Sequence, residues 1–100
     1  MELQDELTVI LHKPITRGSA DTVTELKLRE PSAGEISKSD QAAKRHGSSI
    51  AGELMLISLV SGIELPFVEK LCARDYHAAS EFLNAFFNVP AKAEDPASPS

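Results

Sequence analysis

The sequence predicts an α+β fold: an N-terminal antiparallel β-hairpin, then a small bundle of three to four helices, then a disordered C-terminal tail. Three observations carry this expectation. Residues 6–13 and 22–29 alternate apolar and polar side chains with the two-residue period of a strand. Between residues 33 and 87 the apolar side chains recur at helical spacing, interrupted by glycine, serine and proline where helices stop and start. From Val89 onward, VPAKAEDPASPS holds three of the six prolines and little apolar matter, too little to offset the entropy of ordering it. One hundred residues suit a single domain with a modest core, placed at 1–88, with 89–100 as a Pro/Ser/Ala tail.

The first strand, ELTVILHK, puts Leu7, Val9 and Leu11 on one face and Thr8, Ile10 and His12 on the other. Pro14 cannot donate to a ladder and is expected to end it, with Gly18 in the loop that follows. In the second strand Thr24, Leu26 and Leu28 share a face opposite Glu25, Lys27 and Arg29. A two-stranded hairpin is marginal alone, so its apolar face must rest on helices or on another subunit.

The segment VTELKLREPSAGEI joins strand to helix. Pro31 biases Glu30 towards extended backbone, and Ser32-Ala33-Gly34-Glu35 has the spacing of a capping box, with serine and glutamate satisfying each other's amides. Arg29 and Glu30 read as a local ion pair or as partners for nearby backbone. The helix expected over 33–45 carries only a thin apolar stripe, Ile36 and Ala43, and reads as a surface element. Gly47 breaks it, and Ser48 or Ser49 caps a second helix, IAGELMLISLVSG, which is apolar almost all round and stops at Gly62. Pro66 opens a short helical segment, PFVEKL, and a last helix runs over about 74–87.

Composition excludes several functions. The formal charge of −5 repels phosphate backbones, and the densest basic run, Lys44-Arg45-His46, is too short to reverse that, so no nucleic acid is expected. The apolar run ELMLISLV falls far short of the ~20 residues of a membrane span. MELQDELTV lacks the basic and apolar regions of a signal peptide, and the lone Cys72 suits a reducing compartment. A soluble cytoplasmic protein is expected.

No arrangement suggests catalysis. Cys72 and His77 are the nearest thiol and imidazole, but five residues apart on one helix they splay. His12, His46 and His77 lie on three separate elements without metal-ligand spacing, and the five glycines are too dispersed to cradle phosphate. Asp75 beside Tyr76 reads as a helix cap or a partner of the helix dipole. Catalytic, cofactor-binding and metal-ligating residues are therefore all expected to be none. What remains is apolar surface in excess of what so few elements cover. The helix over 50–60 and the Phe82/Phe86/Phe87 face are candidates for contact with a partner or a second copy, with Leu54, Ile57, Leu83, Phe86 and Phe87 as partner-binding residues.

Three motifs carry a family resemblance over about residues 7–87. Lys13-Pro14-Ile15 closes the first strand, Thr24 to Glu35 reads T-x-L-x-L-R-E-P-S-A-G-E, and Gly62 to Tyr76 reads G-I-x-x-x-x-V-x-x-L-x-x-x-D-Y. Together they resemble the phage tail assembly chaperones of contractile-tailed phages, the Mu-like and E-type tail assembly proteins. The polar stretch SKSDQAAKRHGSS departs from that pattern. The resemblance implies a non-enzymatic protein of phage or prophage origin, acting in the bacterial host cytoplasm. It implies binding to the tape measure protein, which is held soluble and assembly-competent until tail tube subunits enclose it, and absence from the mature virion. The tail tube protein is a further candidate partner, and oligomers formed by self-association are expected. The alternative is a minor structural tail or baseplate component retained in the particle.

Overall fold

Two strands and four helices follow one another in the computed structural model, which describes residues 5–19 and 21–87; the tail expected over 89–100 lies outside them. Strand β1 (Glu6–Arg17) pairs antiparallel with β2 (Asp21–Arg29). Helices α1 (Ala33–His46), α2 (Ser49–Ser61), the single turn α3 (Leu65–Val68) and α4 (Ala73–Phe87) follow.

The hairpin faces the helices with Val9, Leu11, Ile15, Val23, Leu26 and Leu28, all buried, while Ile10 on the opposite face is 68% exposed. β1 does not stop at Pro14 but continues to Arg17. Its register shifts between Ile10, opposite Glu25, and Ile15, opposite Val23, so residues 11–14 of β1 face Thr24 alone. Proline is tolerated there because a bulged residue owes no hydrogen bond to the ladder. The same irregularity slips the alternation of β2: Val23 is buried and Thr24 exposed, the reverse of what strict alternation through Leu26 and Leu28 predicts.

The hairpin's apolar side packs on α2 and α4. Leu56, Ile57 and Val60 of α2 and Ala79, Phe82 and Leu83 of α4 join it in one cluster, to which α3 adds Val68. Gly62 ends α2 in left-handed backbone, at φ 77°, where a side chain would be strained. Helix α1 packs on α2 through small residues. Ala42 is its one buried side chain, and the Ser39 hydroxyl donates to the Gly52 carbonyl at 2.8 Å. At Gly52 the helices approach so closely that a Cβ would stand 2.8 Å from the Ser39 carbonyl oxygen and 3.0 Å from the Ala43 methyl. The polar α1 is thus a surface helix fastened tightly by backbone proximity rather than by large side chains.

Candidate functional site

Because α1 packs on α2 rather than on α4, a groove opens between α1 and α4 with α2 as its floor. It encloses about 220 Å³. Ile36 and Ala43 of α1 form one wall, Leu83 and Phe87 of α4 the other, and Leu56 and Ile57 the floor. Ser39, Asp40, Ser49, Glu53, Ser80 and Asn84 add a polar margin. The thin stripe read from the sequence of α1 is therefore the part of that helix that faces the groove.

The five partner-binding candidates divide around this feature. Ile57, fully buried in the floor of the groove, and Leu83, 3% exposed in its α4 wall, belong to the core, while Phe87, in the same wall, is 48% exposed. Leu54 lies elsewhere, in a second cleft of about 230 Å³ with Ala42, His46, Met55 and Leu65. Phe86 packs edge-on against Phe82, with ring centroids 5.3 Å apart, and does not line the groove. Ile36, Ala43 and Leu56 were not among the candidates, and helical spacing alone did not show that α1 and α4 would stand on either side of α2.

The α4 wall is braced by a polar chain. The Tyr76 hydroxyl donates to Glu53 Oε1, and Asn84 Nδ2 donates to Glu53 Oε2 at 3.4 Å and to Ser80 Oγ at 3.0 Å. Burial, reinforced by the Glu53 carboxylate, pushes the Tyr76 phenol up to about 12, so it remains a donor across the physiological range.

The most unusual polar cluster centres on Asp75, whose side chain is fully buried. It caps nothing on its own helix; it reaches the bulge in β1. The His12 amide donates to both carboxylate oxygens at 2.9 and 3.1 Å, and the Lys13 amide to Oδ2 at 3.3 Å. The His12 ring places Nδ1 2.8 Å from Oδ1, and the Cys72 thiol donates to Oδ2 at 3.2 Å. A carboxylate can only accept, so it fixes the proton of His12 on Nδ1. Burial pushes the Asp75 carboxyl up, but the bonds from the His12 ring and amide, Cys72 and Lys13 outweigh it and hold it down at about 2. The carboxylate thus supplies the bulged amides with the acceptors that β2 does not.

Cys72 therefore meets Asp75, whereas His77 lies exposed on α4, its ring tilted against Tyr76. Among the described residues no three His, Cys, Asp or Glu side chains are grouped to hold a metal ion. Nor is any helix among them long and apolar enough to cross a membrane.

The strand-to-helix joint contains the expected capping box: Ser32 Oγ accepts from the Glu35 amide at 3.2 Å, and Glu35 Oε1 accepts from the Ser32 amide at 2.9 Å. Arg29 forms no ion pair with the Glu30 carboxylate, but as a partner of nearby backbone its Nη1 donates to the Glu30 carbonyl at 3.2 Å. Its guanidinium grips Glu35 in two parallel bonds of 2.8 and 2.6 Å, and donates to the Leu59 carbonyl of α2 at 3.4 Å. The Arg29 bonds, helped by the Ser32 amide, hold the Glu35 carboxyl down at about 2. Arg29 thus ties β2 to α1 and α2, while the backbone amide of Glu30 extends the hairpin by donating to the Asp5 carbonyl at 2.9 Å.

No curated protein and no solved structure gives a match to this chain. The family described as phage tail assembly chaperone proteins, E, or 41 or 14, matches residues 8–88, which takes in the hairpin from its third residue pair, the Arg29 joint, both walls and the floor of the groove, and Asp75. The chain belongs to the phage tail assembly chaperone proteins.

Proposed function

We propose that this chaperone binds the tape measure protein and keeps it soluble and assembly-competent during tail formation, and that it does so without catalysis, in the cytoplasm of the bacterial host. The groove between α1 and α4 carries the reading. Its two walls are helices, its floor is apolar, and its lining is open at Phe87, as a seat for one face of an amphipathic client helix requires. A long client whose apolar stripes are not yet covered by tube subunits would bury one stripe segment there and be withheld from aggregation. The protein is then released as tube subunits take over the client, and does not remain in the virion.

Co-expression with the tape measure protein of the same phage tests this. The soluble fraction of the tape measure protein rises and the two elute as a complex. Unchanged solubility with no complex refutes the reading. Mass spectrometry of purified particles separates it from a retained tail or baseplate component, which would be present in stoichiometric amount.

A further inference from the structure

The chemistry of the groove also constrains what enters it. Among the described residues, the ionisable side chains that line it are Asp40 on α1 and Glu53 on α2, both carboxylates, and no Lys, Arg or His lines it. Glu53 accepts from Tyr76 and Asn84. Asp40 is 61% exposed and contacts Lys44 at 3.1 Å on the solvent side of α1, an i,i+4 surface pair weak enough to exchange for another cation. Ile36, Leu56, Ile57 and Phe87 therefore share the groove's lining with two carboxylates and no basic side chain, inside a chain of net charge −5.

We infer that the groove selects an amphipathic helix of another protein whose apolar face is flanked by Lys or Arg, and discriminates against one flanked by Asp or Glu. The inference rests on the groove being the client seat and specifies the class of segment seated. An incoming Lys or Arg meets Asp40 or Glu53 in the lining while its apolar neighbours cover Ile36 and Phe87. An incoming carboxylate meets like charge beside a low-dielectric floor, where repulsion is less screened than in water.

The test uses the full chain and two labelled peptides of about eighteen residues, roughly five helical turns. They share one Leu/Ala face and differ only in having Lys or Glu at its two edges. Fluorescence anisotropy at low salt is expected to show the Lys peptide binding about fivefold tighter or more, the scale of two partly exposed ion pairs. The preference collapses in about 0.5 M salt, where charges a few ångströms apart are screened. It also collapses in the Asp40→Asn/Glu53→Gln variant. Asp40→Asn alone, at an exposed position, halves it should the Glu53 change disturb Tyr76. Equal affinities, a preference for the Glu peptide, or a preference that survives neutralisation of both carboxylates overturns the inference. If neither peptide binds while co-expression still solubilises the tape measure protein, the selectivity is wrong and the chaperone reading stands; if co-expression also fails, the reading itself is wrong. Self-association abolished by Phe87→Ser would place a second copy in the groove and overturn the inference too.

Discussion

Replacing Asp75 by Asn removes the negative charge from the fully buried junction of α4 and β1 while changing its shape least. The carboxylate accepts from the His12 amide, the Lys13 amide, the His12 ring and the Cys72 thiol. An amide has one acceptor oxygen and turns an NH2 towards donors, so at least one strand amide loses its partner. Hydrogen bonds to charged groups contribute about 1.5–3 kcal/mol each, and a buried donor left unpaired costs about 1–3 kcal/mol. The loss should be about 3 kcal/mol. The same bonds viewed through proton linkage are of that order: a carboxyl held at about 2 in the fold, against ~3.9 unfolded, contributes roughly 2–3 kcal/mol at neutral pH. At about 4–8 °C per kcal/mol for a chain of this size, Asp75→Asn should lower Tm by about 15 °C. Because the folded pKa lies below the unfolded one, the contribution is complete above about pH 4 and is lost as pH falls through 2. The stability gap between native protein and variant, measured by urea unfolding from pH 7 to pH 2, should therefore close at the acid end. Hydrogen exchange at the His12 and Lys13 amides should accelerate in the variant. A loss below about 0.5 kcal/mol, or unchanged protection of those two amides, would refute the assignment of Asp75 as the partner of the bulge.

Other perturbations probe the remaining joints. Arg29→Ala removes the two bonds to Glu35 and those to the Glu30 and Leu59 carbonyls; at partly exposed positions this should cost about 1–2 kcal/mol in urea unfolding, with part of the deficit fading as pH falls from 4 towards 2 and Glu35 protonates. Gly52→Ala would normally favour a helix by up to ~1 kcal/mol, but its methyl would stand 2.8 Å from the Ser39 carbonyl oxygen. It should instead destabilise by about 1–2 kcal/mol, since backbone of α1 must shift. Phe87→Ser, at a position 48% exposed, should change Tm by no more than a few degrees yet weaken client binding at least tenfold in pull-down titration.

Local chemistry was well written in the sequence. The capping box from Ser32 to Glu35, the serine cap at Ser48 and the left-handed stop at Gly62 each depend on residues within a few positions of one another. Contacts between distant segments were not. Asp75 sits 63 residues from His12, and nothing near it in the chain distinguishes an acceptor for strand amides from an ordinary residue of a first helical turn. The bulge hid behind Pro14, which marks the end of a strand just as readily as a point where a ladder is interrupted. Arg29 has acidic neighbours at both Glu30 and Glu35, and only the turn of the chain at Pro31 brings the second within reach. The groove was half legible. The apolar excess of α2 and the Phe82/Phe86/Phe87 face of α4 signalled surface to be covered; of the five residues named there, Ile57, Leu83 and Phe87 line the groove and Leu54 and Phe86 do not. The contribution of α1 was concealed because its packing runs through Ala42, Ser39 and Gly52, residues too small to register as an amphipathic stripe.

The central claim, that the groove between α1 and α4 holds a tape measure segment soluble, meets its most direct test in one co-expression series. The native chain, an Ile36→Glu variant and a Phe87→Glu variant are each produced with the tape measure protein, after thermal unfolding has established that both variants are folded. The native chain should keep the client in the soluble fraction as a complex, and the two groove variants should leave it in the pellet. A client equally soluble with all three proteins would contradict the placement of its binding site.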